Sequence, residues 1–134
     1  MKNKSKLKRI RQTNEKALRK PREWLYLCPF ELTVAELAQA LDGEEISVQV
    51  WNEAGVAEIE LPEAKSIDFE ATEADLKDDY SNAFLAEHGT KSLFYVTIDP
   101  ENYQQVERIF RLILEKKGGI ICGDTEDFAP VIHL

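Results

Sequence analysis

A compact strand–helix–strand pattern over residues 92–122 constrains the fold of this chain more than any other feature. Asp99 is suited to cap the helix, because its carboxylate can accept a hydrogen bond from an unpaired amide of the first turn. Pro100 follows at a position that needs no amide proton, and Gly118 and Gly119 end the helix. The apolar residues that recur at helical spacing are Tyr103, Val106, Phe110, Ile113 and Leu114. Two strands joined by one helix favour a right-handed crossover between parallel strands.

Three further segments alternate between apolar and polar residues, as a strand does when one of its faces is buried. They span residues 45–51, 56–61 and 66–71. This pattern predicts an antiparallel meander with one face in water. An apolar run at 23–30 predicts a first strand, and residues 131–133 predict a last one.

Capping signals predict two more helices. Thr33 is followed three residues later by Glu36, and Thr72 by Asp75, which is the spacing of a capping box. Strands and helices alternate only in part along the chain, and this favours an α+β fold over a doubly wound sheet. The sequence therefore predicts a two-layer α+β sandwich. Its mixed β-sheet would contain the antiparallel meander and the right-handed βαβ unit, with the helices mainly on one face.

The net charge of −8 conceals a division between a basic N-terminal arm, residues 1–22, and the rest of the chain. The arm holds ten basic residues and one acidic residue, net +9, whereas residues 23–134 hold seven basic and 24 acidic residues, net −17. Like-charge repulsion predicts a disordered arm, although its few apolar residues also fit a thin amphipathic helix. Residues 23–134 are predicted to form a single α+β domain, since that length supports one hydrophobic core.

The densest group of carboxylates falls on the predicted meander. Glu58, Glu60, Asp68 and Glu70 would point the same way from neighbouring strands. Like charges that face each other on a sheet are mildly destabilising, so they are either well solvated or matched by a basic partner. The second interpretation predicts a non-catalytic protein that binds a basic protein through this sheet face, as an inhibitor, an immunity protein or an adaptor does. The arm itself is another candidate to cover the face.

The arm supports an alternative function as a nucleic-acid accessory protein. The residues that would contact phosphates are Lys4, Lys6, Lys8, Arg9 and Arg11. Such binding would be strongly salt-dependent, and nonspecific because the arm has no aromatic residue for base stacking. The −17 domain opposes it by repelling the same phosphates. A membrane-surface role is disfavoured by the thin apolar stripe, and a solubilising tail would need no partner.

A third hypothesis is an enzyme, which would need a thiol site or a metal site. Cys28 and Cys122 lie in apolar strand patterns, typical of inert buried thiols, and catalysis would require His88 or His133 nearby in space. Carboxylates that could bind a hard cation are those of Asp124, Glu126 and Asp127, although their spacing departs from an EF-hand. No nucleotide-binding or nucleophile-elbow motif is present, so no cofactor is predicted.

The sequence also bears on location and assembly. No apolar run approaches the roughly 18 residues that a membrane span needs, and no hydrophobic segment of a signal peptide follows the basic N-terminus. Two cysteines are too few for a disulfide framework. These features predict a cytoplasmic protein. An exposed edge strand would allow a dimer to form by strand pairing.

Overall fold

A computed structural model describes residues 20–134 of the chain. The predicted phosphate contacts at Lys4, Lys6, Lys8, Arg9 and Arg11, and the prediction of a disordered or helical arm, fall on residues outside this range. The strands are β1 (Glu23–Cys28), β2 (Val48–Trp51), β3 (Val56–Leu61), β4 (Lys65–Thr72), β5 (Ser92–Thr97), β6 (Ile120–Gly123) and β7 (Val131–Ile132). The helices are α1 (Val34–Gln39), α2 (Asp79–Glu87) and α3 (Tyr103–Lys117), and short 3₁₀ turns, Pro62–Ala64 and Pro100–Asn102, precede β4 and α3.

Within residues 20–134, seven strands form one sheet in the order β2-β3-β4-β5-β1-β6-β7. Each hydrogen-bonded pair in this sheet is antiparallel. The predicted meander is confirmed, because β2, β3 and β4 are consecutive neighbours, and β5 extends it by one strand. The α+β class is confirmed as well, since three helices accompany the sheet.

The predicted strand–helix–strand unit is present as β5–α3–β6, but its two strands are not adjacent. β1 lies between them, and Tyr26 of β1 is opposite Phe94 of β5 on one side and Ile121 of β6 on the other. β5 and β6 therefore run parallel to each other one strand apart, and the described sheet has antiparallel pairs rather than the mixed pairing expected. The reason lies in β1, where residues 24–28 are all buried. A strand that is apolar on both faces is most stable in the middle of a sheet.

Two of the three described helices, α1 and α3, cover one face of the sheet, as predicted. They bury Leu37, Phe110 and Ile113 against the inward side chains of the strands, and this contact forms the main core. Trp24 of β1 stacks on Tyr103 at 5.8 Å between ring centroids and meets Phe110 edge-on at 5.5 Å. Removing this apolar surface from water supplies most of the favourable free energy of folding.

The opposite face of the sheet is covered over only part of its width. There, α2 and the segment 124–129 lie over β1, β5 and β6, so that Leu25 and Leu27 pack with Leu85 and Phe128. On the same face of β2, β3 and β4, alternate side chains remain partly or fully exposed. This half of the face is the open part of the sheet.

The two predicted capping boxes have different outcomes. Thr33 caps α1: its Oγ1 accepts from the Glu36 amide at 3.1 Å, and the Glu36 carboxylate accepts from the Thr33 amide at 3.1 Å. The predicted helix start at Thr72 is wrong, because Thr72 belongs to β4 and α2 begins seven residues later. Asp78 caps α2 instead. None of the helices between residues 20 and 134 is long and apolar enough to cross a membrane.

Candidate functional site

The four carboxylates predicted on the meander lie together on the open part of the sheet. On β3, Glu58 and Glu60 alternate with core residues, and on β4 Asp68 and Glu70 do the same. Glu58 is directly opposite Asp68 in the register of the two strands. Facing residues on neighbouring antiparallel strands have Cβ atoms about 5 Å apart. The structure therefore brings these four side chains onto one face, while their role in binding stays a prediction.

The strand register extends these charges into a row that the sequence did not predict. Asp68 is opposite Thr97 of β5, and Thr97 is opposite Glu23 of β1. Glu58, Asp68 and Glu23 therefore lie on one line across four strands, about 14 Å long at a strand spacing of about 4.8 Å. Here the acidic face means Glu23, Glu58, Glu60, Asp68 and Glu70. Glu23 could not be assigned from the sequence, because its place depends on β1 pairing with β5.

Hydrogen bonds orient parts of the acidic face, but no cation in residues 20–134 forms an ion pair with it. Gln49 Nε2 donates to Glu60 Oε1 at 2.9 Å, and Thr97 Oγ1 donates to Glu23 Oε2 at 3.0 Å. The ion pairs in the described range are Lys65–Asp99, Lys77–Asp75, Arg111–Glu107 and Lys116–Glu44. The carboxylates of the acidic face are thus left to solvent, to the arm or to another molecule.

Exposed aromatic rings border the acidic face. Trp51 of β2 is 46% exposed and Tyr95 of β5 is 38% exposed. Trp51 is opposite Val56, which places its ring on the open part of the sheet, and Tyr95 is opposite Glu70, which places its ring at the border of that part. Tyrosine and tryptophan are enriched at protein interfaces, where they often provide much of the binding energy. The surface therefore combines negative charge with aromatic contact area.

Beside Tyr95, a groove of about 460 Å³ lies between the start of α2 and the segment 124–129. Two of the three predicted metal candidates, Asp124 and Glu126, line this groove. The third, Asp127, accepts at Oδ1 from the Ala129 amide at 3.2 Å and stabilises the turn of its own loop. No three His, Cys, Asp or Glu side chains within residues 20–134 are grouped so as to hold a metal ion. The groove therefore presents the carboxylates of Asp124 and Glu126 beside aromatic side chains.

The two cysteines lie on opposite faces of the sheet. Cys28 belongs to the main core and Cys122 to the cluster under α2. Burial raises the pKa of Cys122 to about 12, with a smaller contribution from Asp124, so this thiol is protonated and weakly nucleophilic at neutral pH. His88 ends α2, and His133 is exposed beyond β7. No hydrogen bond in the described part of the chain joins either thiol to a histidine.

Comparison of this chain with models of protein families, with curated proteins and with solved structures finds no match. The α+β class alone does not assign an activity, because folds of this class carry many unrelated functions. Any assignment therefore depends on the chemistry of particular side chains. The open, acidic and aromatic part of the sheet has the most distinctive chemistry.

Proposed function

We propose that this protein binds a basic protein partner through the acidic face and does not catalyse a reaction. The observation that carries the proposal is the row of Glu58, Asp68 and Glu23, aligned on β3, β4 and β1 with Thr97 of β5 between the last two, and without an ion-pair partner in residues 20–134. Glu58 and Asp68 face each other directly, and like charges in that position destabilise a sheet by about a few tenths of a kcal/mol. A basic surface docked on the row would replace that repulsion with attraction.

The charge of the whole domain supports the same proposal. Residues 23–134 carry −17, so their field attracts a basic protein from a distance. Complementary charge mainly raises the association rate and excludes partners of the wrong sign. Trp51 and Tyr95 would add apolar contacts at the border, where an interface needs desolvated anchors. The pairing of charge with aromatic rings favours a protein partner over a simple counterion.

Nucleic-acid binding through Lys4, Lys6, Lys8, Arg9 and Arg11 stays an alternative prediction, because those residues lie outside the described range. A thiol enzyme is disfavoured by the burial of Cys28 and Cys122. The predicted cytoplasmic location and the predicted dimer likewise remain proposals. The acidic face is the feature that a direct experiment can address first.

The test compares two double variants that change the net charge equally. Glu58→Lys with Glu60→Lys reverses charge on the acidic face, whereas Glu31→Lys with Glu115→Lys reverses two exposed residues away from it. Association with a fluorescently labelled decalysine peptide is measured by stopped flow at two salt concentrations. We expect the first variant to associate at least about tenfold more slowly at low salt and with a flatter salt dependence.

The control variant carries the same change of net charge, so it should show only the slowing that the long-range field produces, and associate at least about threefold faster than the acidic-face variant at low salt. Equal slowing in both variants would mean that the association rate with decalysine depends only on the net charge of the protein. This result would contradict binding at the acidic face. The same three proteins are then used for affinity capture. A basic protein retained by the unmodified chain and the control, and lost with the acidic-face variant, would be the partner to characterise.

A further inference from the structure

The groove beside Tyr95 has aromatic walls that remain open to a ligand. Tyr80, in the first turn of α2, is 66% exposed and stacks on Phe128 at 6.0 Å between ring centroids. Phe128 in turn stacks on Phe84 at 4.1 Å with nearly parallel rings. Tyr95 closes the side of the groove that adjoins the acidic face. A planar cation can stack on such rings, whereas an anion is repelled by their negative faces.

The charged groups that line the groove are all acidic. They are Asp78, Asp124 and Glu126. Asp78 uses Oδ1 to cap α2, accepting from the Ser81 amide at 2.7 Å, whereas the Asp124 carboxylate has no hydrogen bond or ion pair within residues 20–134. Partial burial raises the pKa of Asp124, and nearby Glu23 adds to the rise. A cation in the groove would favour the charged form of Asp124 and so oppose both effects.

One basic residue lies near the groove without filling it. The ammonium of Lys77 is close enough to interact electrostatically with Tyr95, but it is paired with Asp75 at 3.2 Å and is 75% exposed. This pair directs the lysine to the surface loop before α2. The positive charge that would complement Asp124 and Glu126 must therefore come from another molecule or from the arm.

Backbone hydrogen bonds hold the loop wall of the groove in place. The Asp124 amide donates to the Glu23 carbonyl at 2.9 Å, and the Phe128 amide donates to the Thr125 carbonyl at 3.2 Å. Phe128 has φ of +56°, which is unfavourable for a bulky residue and occurs mostly where surrounding structure enforces it. A wall that is already ordered loses little conformational entropy when a ligand binds.

We infer that this groove binds an arginine side chain. The arginine would belong to the basic partner, and this second step rests on the proposed function. The planar guanidinium would stack on Tyr80 and donate hydrogen bonds to Asp124 and Glu126. Lysine lacks the flat surface and the forked donors that this combination of ring and carboxylates uses. The groove adjoins the acidic face at Tyr95, so one basic surface can reach both.

The test is an NMR titration of the full chain with Nα-acetyl-arginine-N-methylamide. Capped citrulline has almost the same shape without the charge, and capped lysine has the charge without the plane. We expect the arginine compound to give saturable amide shifts in residues 76–81, 95 and 124–128. Citrulline should give no saturable shift, and lysine should bind at least about threefold more weakly.

Tyr80→Ala and Asp124→Asn are matched variants for this titration, because both side chains are exposed enough to be replaced without opening the core. Each should raise the dissociation constant of capped arginine at least about fivefold. Equal binding of citrulline, equal binding of lysine, or unchanged affinity in both variants would overturn the assignment. So would shifts that spread over acidic residues throughout the chain without saturating.

The Glu58→Lys, Glu60→Lys variant separates this inference from the proposed function. It should keep the groove shifts with capped arginine, since neither residue lines the groove. If the acidic-face variant and its control associate equally with decalysine while capped arginine still binds in the groove, the proposed function is contradicted and the groove assignment stands. If decalysine association depends on the acidic face but capped arginine does not bind in the groove, only the groove assignment is contradicted.

Discussion

A single residue, Gly119, controls how α3 connects to β6. Its φ is +90°, and a Cβ atom there would collide with the carbonyl oxygen of Leu27 in β1. The hydroxyl of Tyr26 also reaches this turn and donates to the Gly118 carbonyl at 2.8 Å. The central strand β1 therefore packs directly against the backbone at the end of α3. A side chain at residue 119 would push the two apart.

Replacing Gly119 with alanine is expected to lower the free energy of unfolding by more than about 2 kcal/mol, since the positive φ alone costs about 1–2 kcal/mol. Gly43→Ala is the matched control, because Gly43 has φ of +83° and a Cβ atom added there would meet no other atom within 4 Å. Its loss should be limited to the backbone strain. Urea denaturation of both variants gives the comparison, and equal losses would show that the approach of Leu27 is unimportant.

At the level of elements, the connection from β4 to α2 shows how a local signal can be overridden. Thr72 with Asp75 has the spacing of a capping box, yet Thr72 pairs with Leu93 in the sheet. Asp75 serves a different purpose: its Oδ1 accepts from Asn82 Nδ2 at 3.0 Å and from the Lys77 amide at 2.9 Å. These bonds fix the loop that leads into α2 and the adjoining groove.

The Asp75 contacts predict a pH-dependent stability. Hydrogen bonds from Asn82 and from Lys77 lower the pKa of Asp75 to about 2, below the roughly 3.9 of an unfolded aspartate. Because the folded pKa is lowered, the stabilisation is fully present above about pH 4 and is lost as the pH falls towards 2. The destabilisation by Asp75→Ala should therefore be constant from about pH 5 to 7 and shrink in that acid range.

Urea denaturation as a function of pH measures this difference. Asn82→Ala provides the control, because it removes the largest cause of the lowered pKa. In that background the substitution of Asp75 should show a weaker pH dependence. A destabilisation by Asp75→Ala that stays constant down to about pH 2 would contradict the assignment.

Elements defined by local patterns could be predicted from the sequence, and elements defined by distant pairing could not. The apolar stripe of α3 and the alternation on β2, β3 and β4 depend on neighbouring residues, and so does the Thr33 cap. The insertion of β1 between β5 and β6 depends on pairing with strands that lie far along the chain. For the candidate site, the four meander carboxylates were accessible to sequence reasoning. Glu23 and the groove were not, because both require β1 to be placed.

The unbroken apolar run of β1 is the sequence pattern that predicts its central position in the sheet. Its residues 24–28 are apolar without alternation, which is typical of a central strand. This pattern predicts a central position but does not identify the neighbouring strands. A place beside either edge of β5 or of β6 would agree with it equally well.

At the scale of the whole molecule, the division of charge predicts how the arm affects association. Residues 1–19 contain eight basic residues and one acidic residue, so their removal changes the net charge from −8 to −15. The field that attracts a basic molecule should become stronger. This expectation follows from charge alone and does not depend on where the arm lies.

Removal of residues 1–19 is therefore expected to raise the association rate with decalysine several-fold at low salt, in stopped-flow measurements like those on the acidic-face variants. The difference should nearly vanish near 1 M salt, where the Debye length falls to about 3 Å. A gain that persists at high salt would point instead to the arm occupying the acidic face directly, because contact pairs are screened less than distant charges. A slower rate after removal would contradict both accounts, since it would require the arm itself to help recruit a molecule of its own sign.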